Sequence, residues 1–93
     1  MMNVEHNIVA IGYKPAMNYV TACITLFNSG ASEVMIRARG RHIYKAVDIV
    51  GLLKRVFLKD LIIKNISLGT DTHKDSRGKE TNTSIIEILL AKE

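Results

Sequence analysis

Arg37-Ala-Arg-Gly-Arg-His-Ile-Tyr-Lys-Ala-Val-Asp48 holds the change of periodicity from which the rest of the chain can be read. Up to this point, Glu33 to Arg39 alternates. Val34, Ile36 and Ala38 take one side, and Met35, Arg37 and Arg39 take the other. Residues two apart share a face in a strand, so this is a half-buried strand with two arginines on its outer side. Gly40 ends it. From Ile43 to Phe57 the spacing turns helical, with Ile43, Ala46, Val47, Val50, Leu53 and Phe57 on one broad face, widened by Ile49, Leu52 and Val56. The turn at Gly40 delivers Arg41 to the mouth of that helix. There, unpaired N–H groups and the positive end of the helix dipole favour an anion, and planar guanidinium forks suit phosphate. A solvated basic edge would read the same way from these residues alone.

A second strand-to-helix junction lies upstream. Asn7-Ile-Val-Ala-Ile11 is continuously apolar, stops at Gly12 and reads as a buried strand. Tyr13 and Lys14 follow, then Pro15, which suits a first helical turn because its missing N–H would be unpaired there. Pro15 to Ser29 has helical spacing. Ala16, Val20, Cys23 and Phe27 form one stripe with Met17 and Ile24 beside it, and Tyr19, Ala22 and Leu26 form another. Gly30 is placed to end the helix in a left-handed conformation. Lys14 is thus expected at one helix mouth and Arg41 at another, with the two junctions side by side. Asn18, near the first mouth, has two readings: a helix-end hydrogen bond or a ligand contact.

Downstream, Leu61 to Thr70 is a strand with a phase change. Leu61 and Ile63 share one parity, Ile66 and Leu68 the other, and a bulge at Lys64-Asn65 would restore a single buried face. Thr83 to Leu90 alternates with Ile86, Ile88 and Leu90 on one side. Between them, Asp71 to Asn82 is polar, with Ser76-Arg-Gly78 as turn chemistry. The two strands are expected to continue into it as a projecting hairpin, an arm at about residues 70–82 carrying Lys74, Arg77 and Lys79; an ordinary surface loop is the alternative reading. The order is strand, helix, strand, helix, strand, strand. Gly51 weakens the second helix by about 1 kcal/mol relative to alanine, through close packing against another element or incidentally.

A chain of 93 residues is one domain, here 1–93 with about 1–6 as a flexible N-terminus. Apolar residues make up 47% and aromatics only 5%, so the core is aliphatic. Residues 37–79 hold eleven cations and four anions, while residues 1–36 hold one cation and two anions. With an isoelectric point near 9.4, that basic middle is the footprint of a nucleic-acid binder. No apolar run approaches the roughly 18 residues of a membrane span, and the start lacks the pattern of a secretory signal. Cys23 sits in a core stripe, as a buried small hydrophobe in a reducing cytoplasm. No metal-ligand spacing, nucleotide loop or catalytic constellation stands out, so no cofactor is expected and an enzyme is the weaker hypothesis. Both helices are apolar over more than one stripe, which predicts a second apolar surface and a dimer.

Two stretches also carry a family resemblance. Ile11-Gly-Tyr-Lys-Pro-Ala-Met-Asn-Tyr-Val20 and Arg37 to Asp48 resemble the two signatures of the Alba family of archaeal chromatin proteins, in the same order and at the right separation. The resemblance implies an α+β fold: a four-stranded mixed sheet with two helices on one face, similar to the C-terminal domain of initiation factor three. It implies a homodimer, or a heterodimer with a paralogue, that binds double-stranded DNA, and RNA, with little sequence preference in the cytoplasm and on the chromosome. On this reading Tyr13, Lys14 and Asn18 contact the nucleic-acid backbone beside Arg37, Arg39, Gly40 and Arg41. The arm, with Lys74, Arg77 and Lys79, follows the minor groove, and Phe57 joins dimers side by side. Many relatives carry two lysines after the glycine, the first regulated by acetylation. Tyr13 replaces it here, which puts that switch in doubt. An RNA chaperone or ribonucleoprotein subunit, and a protein-assembly module, are the rival readings.

Overall fold

The computed structural model describes residues 7–93, so the flexible segment expected at 1–6 lies outside the described residues. Asn7–Ala10 forms β1, Ala16–Asn28 α1, Glu33–Arg39 β2, Ile43–Leu52 α2, Leu61–Lys74 β3 and Glu80–Lys92 β4. A 3-10 turn, Gly40–His42, leads into α2, and a π turn, Leu53–Phe57, continues it. The sheet order is β1-β2-β4-β3, with β1 parallel to β2 and the other pairings antiparallel. This is the expected α+β architecture, a mixed sheet with both helices on one face.

The core lies between that face and the helices. Val34, Ile36 and Ala38 of β2 and Ile86, Ile88 and Leu90 of β4 meet Val20, Cys23 and Phe27 of α1 and Ala46, Ile49, Val50 and Leu53 of the second helix. Burial pushes the Cys23 thiol up to about 11, so it stays protonated and unreactive. The opposite face of the sheet has no helix over it. That is why β1 is not buried on both sides as its apolar run predicts. Val9 and Ile11 enter the core, while Ile8 and Ala10 point out to solvent. Gly30, which follows the α1 C-cap, has φ +104°, the left-handed stop its position predicts. Gly51 has no close neighbour from another element; a Cβ there would meet only the Arg55 guanidinium, at 3.3 Å.

The pairing of β3 with β4 shifts register between Ile63 and Asn65. The shift places Ile63, Ile66 and Leu68 opposite Leu90, Ile88 and Ile86, on the helix side of the sheet. The helix layer does not reach them, so of the buried face expected for this strand only Leu61 is buried. Their exposures are 41%, 54% and 76%, and Val47 of α2 is 53% exposed. The edge of the second helix runs along this row. Ile43 lines a cleft with Leu68 and Thr70, and Lys54 Nζ donates to the Leu61 carbonyl at 2.8 Å. An aliphatic strip is left open between α2 and β3.

β4 pairs with β2 only as far as Ile85, opposite Arg39, but with β3 as far as Glu80, opposite Lys74. The last five residue pairs stand clear of the sheet, a reach of roughly 17 Å at about 3.4 Å per residue. The radius of gyration, 14.6 Å, exceeds the roughly 12 Å of a compact chain of this length because of this arm.

Candidate nucleic-acid interface

Parallel pairing of β1 with β2 brings their carboxyl ends to the same end of the sheet. The Ile11 N–H extends the pairing by donating to the Arg37 carbonyl at 2.9 Å. Both strand-to-helix junctions therefore lie next to each other. Because β4 runs antiparallel to β2, the arm leaves from that end too.

The loop between β1 and α1 is held from beneath. Tyr19, one turn into α1, turns its hydroxyl back to accept the N–H groups of Gly12 at 2.9 Å and Lys14 at 3.2 Å. Lys45, on the first turn of α2, donates to the carbonyls of the same two residues at 2.7 and 2.8 Å. Its ammonium also lies 5.9 Å from the centre of the Tyr19 ring. With their N–H and C=O groups engaged inward, Gly12 and Lys14 leave the Tyr13 and Lys14 side chains facing solvent. Neither Tyr19 nor Lys45 was anticipated at the site. Tyr19 reads as a core stripe residue, and Lys45 as the polar side of a helix.

Across the junction, Gly40 turns the chain with φ +52°, a conformation that a side chain rarely adopts. Arg41 then reaches back over Tyr13, its guanidinium carbon 5.5 Å from the ring centre. The His42 ring meets Tyr13 edge-on at 4.7 Å. Tyr13, Lys14, Gly40 and Arg41 thus form one ledge, and no carboxylate pairs with Lys14 or Arg41 among the described residues. Asn18 is exposed on the first turn of α1. Its side chain makes no cap; its backbone N–H bonds the Pro15 carbonyl at 3.0 Å.

Arg37 and Arg39 go elsewhere. Both lie on the open sheet face, where Arg37 pairs with Glu87 at 2.6 Å and Arg39 with Asp71 at 2.5 Å. Lys64 pairs with Glu33 there at 2.6 Å. These pairs are solvent-exposed, where an ion pair contributes at most about 1 kcal/mol, so a polyanion can compete for either arginine. On the arm, the Asp75 carboxylate accepts the N–H groups of Arg77 and Lys79, both at 2.9 Å, and fixes the tip. Lys74, Arg77 and Lys79 are all exposed, but residues 70–82 carry three carboxylates as well, so the arm has no formal net charge. Phe57 lies at the opposite end of the molecule, in the π turn, and is 43% exposed.

Replacing Tyr19 by Phe removes the acceptor of two loop N–H groups while keeping the ring in place. Amide hydrogen exchange at Gly12 and Lys14 is then expected to accelerate by roughly tenfold, for a lost interaction of about 1.4 kcal/mol. Exchange at the α1 amides should be unchanged, and unaltered exchange at both loop positions would show that the clamp does not hold the loop.

Comparison with known proteins identifies the family. The Alba family model matches residues 7–70. The chain is 51% identical over 88 residues to the DNA/RNA-binding protein Alba of Methanothrix thermoacetophila, covering 95% of this chain and 98% of that protein. It is 50% identical over 86 residues to DNA/RNA-binding protein Alba 1 of Archaeoglobus fulgidus, covering 92% and 96%. The solved structure of Alba from Thermoplasma volcanium superposes with a TM-score of 0.87 at 43% identity, covering 92% of this chain and all of that one. The chain belongs to the Alba family.

Proposed function

We propose that this protein is a non-enzymatic architectural binder of nucleic acid that holds double-stranded DNA, and RNA, by the phosphate backbone with little sequence preference. The observation that carries the reading is the ledge. Two cations without carboxylate partners among the described residues, Lys14 and Arg41, project from adjacent junctions on a backbone held from beneath by Lys45. The names of the relatives, DNA/RNA-binding proteins, support the same class of partner. Such contacts fix position without reading bases. Tyr13 and Asn18 supply hydrogen-bonding groups beside the cations. Arg37 and Arg39 join once phosphate draws them from Glu87 and Asp71, and Arg39 connects the ledge to the root of the arm. Lys74, Arg77 and Lys79 then follow the minor groove. On this reading the protein works in the cytoplasm, on the chromosome, and needs no cofactor.

The partner for the strip between α2 and β3 is a second copy of the chain, or a paralogue with the same strip. Four large aliphatic side chains from 41% to 76% exposed form a patch that a small monomer gains by covering. A two-fold pairing of this patch is closed and self-complementary. Phe57, with Val56 exposed beside it, offers a smaller contact between dimers.

Two measurements test this reading. In a salt series on duplex DNA, Lys14→Ala and Arg41→Ala should each weaken binding and lower the logarithmic salt slope by roughly 0.9. Unchanged affinity and slope in both would remove the ledge from the interface. By sedimentation at micromolar concentration, the protein should be a dimer and Ile66→Glu a folded monomer. A monomeric parent protein would refute the pairing.

A further inference from the structure

We infer that Tyr13 is a stacking platform for a single unpaired nucleobase, with Arg41 placed to hold the adjoining phosphate. The ledge therefore prefers nucleic acid with an unpaired nucleotide over a continuous duplex. The inference rests on the nucleic-acid reading above and adds a specificity to it. Tyr13 is 78% exposed, yet it is not a freely rotating surface ring. Its two chain neighbours are pinned through their backbone by Tyr19 and Lys45. The His42 ring, perpendicular to it at 89°, restrains it from the side. The Arg41 guanidinium, 5.5 Å from its centre, polarises it. With that exposure the ring keeps a face open to solvent.

A fixed, open aromatic face beside cations that have no carboxylate partner among the described residues has the parts of a single-strand site: π-surface for the base and guanidinium for the backbone. Stacking is tolerant of base identity, because every base has a π-face. In a continuous duplex the bases are already stacked on one another. Tyr13 can then offer only its hydroxyl, and the ledge acts through charge and hydrogen bonds without stacking. A bulge, a loop or a strand end presents the missing element.

The probe is a short duplex with one bulged nucleotide, made in RNA and in DNA, beside the same duplex without the bulge and a version with an abasic bulge. The parent protein is expected to bind the bulged duplex more tightly than the continuous one, and the abasic bulge should lose that preference. Tyr13→Ala should collapse the ratio of the two dissociation constants by roughly 5- to 150-fold, the range of one base-stacking contact. Tyr13→Phe should keep the ratio and Tyr13→Lys should lose it. A fluorescent purine in the bulge should be quenched by the parent protein and by Tyr13→Phe, but not by Tyr13→Ala. Equal affinity for bulged and continuous duplex, or a ratio that survives Tyr13→Ala, overturns the inference while leaving phosphate binding intact. If the parent protein binds none of the probes, the nucleic-acid reading fails and takes the inference with it. The RNA and DNA arms show which kind of nucleic acid supplies the base.

Discussion

The candidate site depends on one half-buried side chain whose ammonium is turned inward onto backbone carbonyls. Lys45 bridges the carbonyls of Gly12 and Lys14 from the neighbouring helix, with the hydroxyl of Tyr19 taking the matching N–H groups. Hydrogen bonds from a charged donor contribute roughly 1.5–3 kcal/mol each, enough to hold a short loop in one conformation. The clamp ties the first junction to the second. Parallel pairing of β1 and β2 puts the junctions at one end of the sheet, and Lys45 makes them one surface. A loop whose backbone is used inward presents its side chains outward, so Lys14 and Tyr13 are exposed by construction.

Charge is arranged unevenly around that surface. On the open sheet face, Arg37, Arg39 and Lys64 each have a carboxylate partner. On the ledge, Lys14 and Arg41 have none among the described residues. The formal charge of +4 on the chain therefore understates the field at the ledge and overstates it on the sheet. Pairing on the sheet face keeps two arginines extended and close to the root of the arm, at a cost that a phosphate can offset. The arm itself is balanced in charge, so its contribution is one of shape and reach rather than attraction at a distance. In the proposed binding mode, steering belongs to the ledge, and the arm engages after contact.

Much of this was legible in the sequence, because it is set by local pattern. The alternation of β2 gave the correct inner and outer residues. The parity change in β3 located its register shift, and Gly30 and Gly40 marked chain reversals. The rest needed the assembled fold. A continuous apolar run cannot reveal that one side of a sheet lacks a helix layer, so Ile8 looked buried. The partners of Arg37 and Arg39 lie 50 and 32 residues away, on β4 and on β3 beyond it. Nothing in spacing connects them. Lys45 looked like an ordinary polar helix residue because its acceptors are backbone carbonyls, which have no signature in sequence.

In the proposed binding mode the two junctions bind a polyanion as a single surface. Titrating the isotope-labelled protein with a short duplex and following each backbone amide by NMR tests it most directly. Residues 11–14 and 39–45 are expected to shift together, along one binding curve with one dissociation constant, ahead of or alongside the arm. Shifts confined to the open sheet face, or two junctions that saturate at different concentrations, would contradict it.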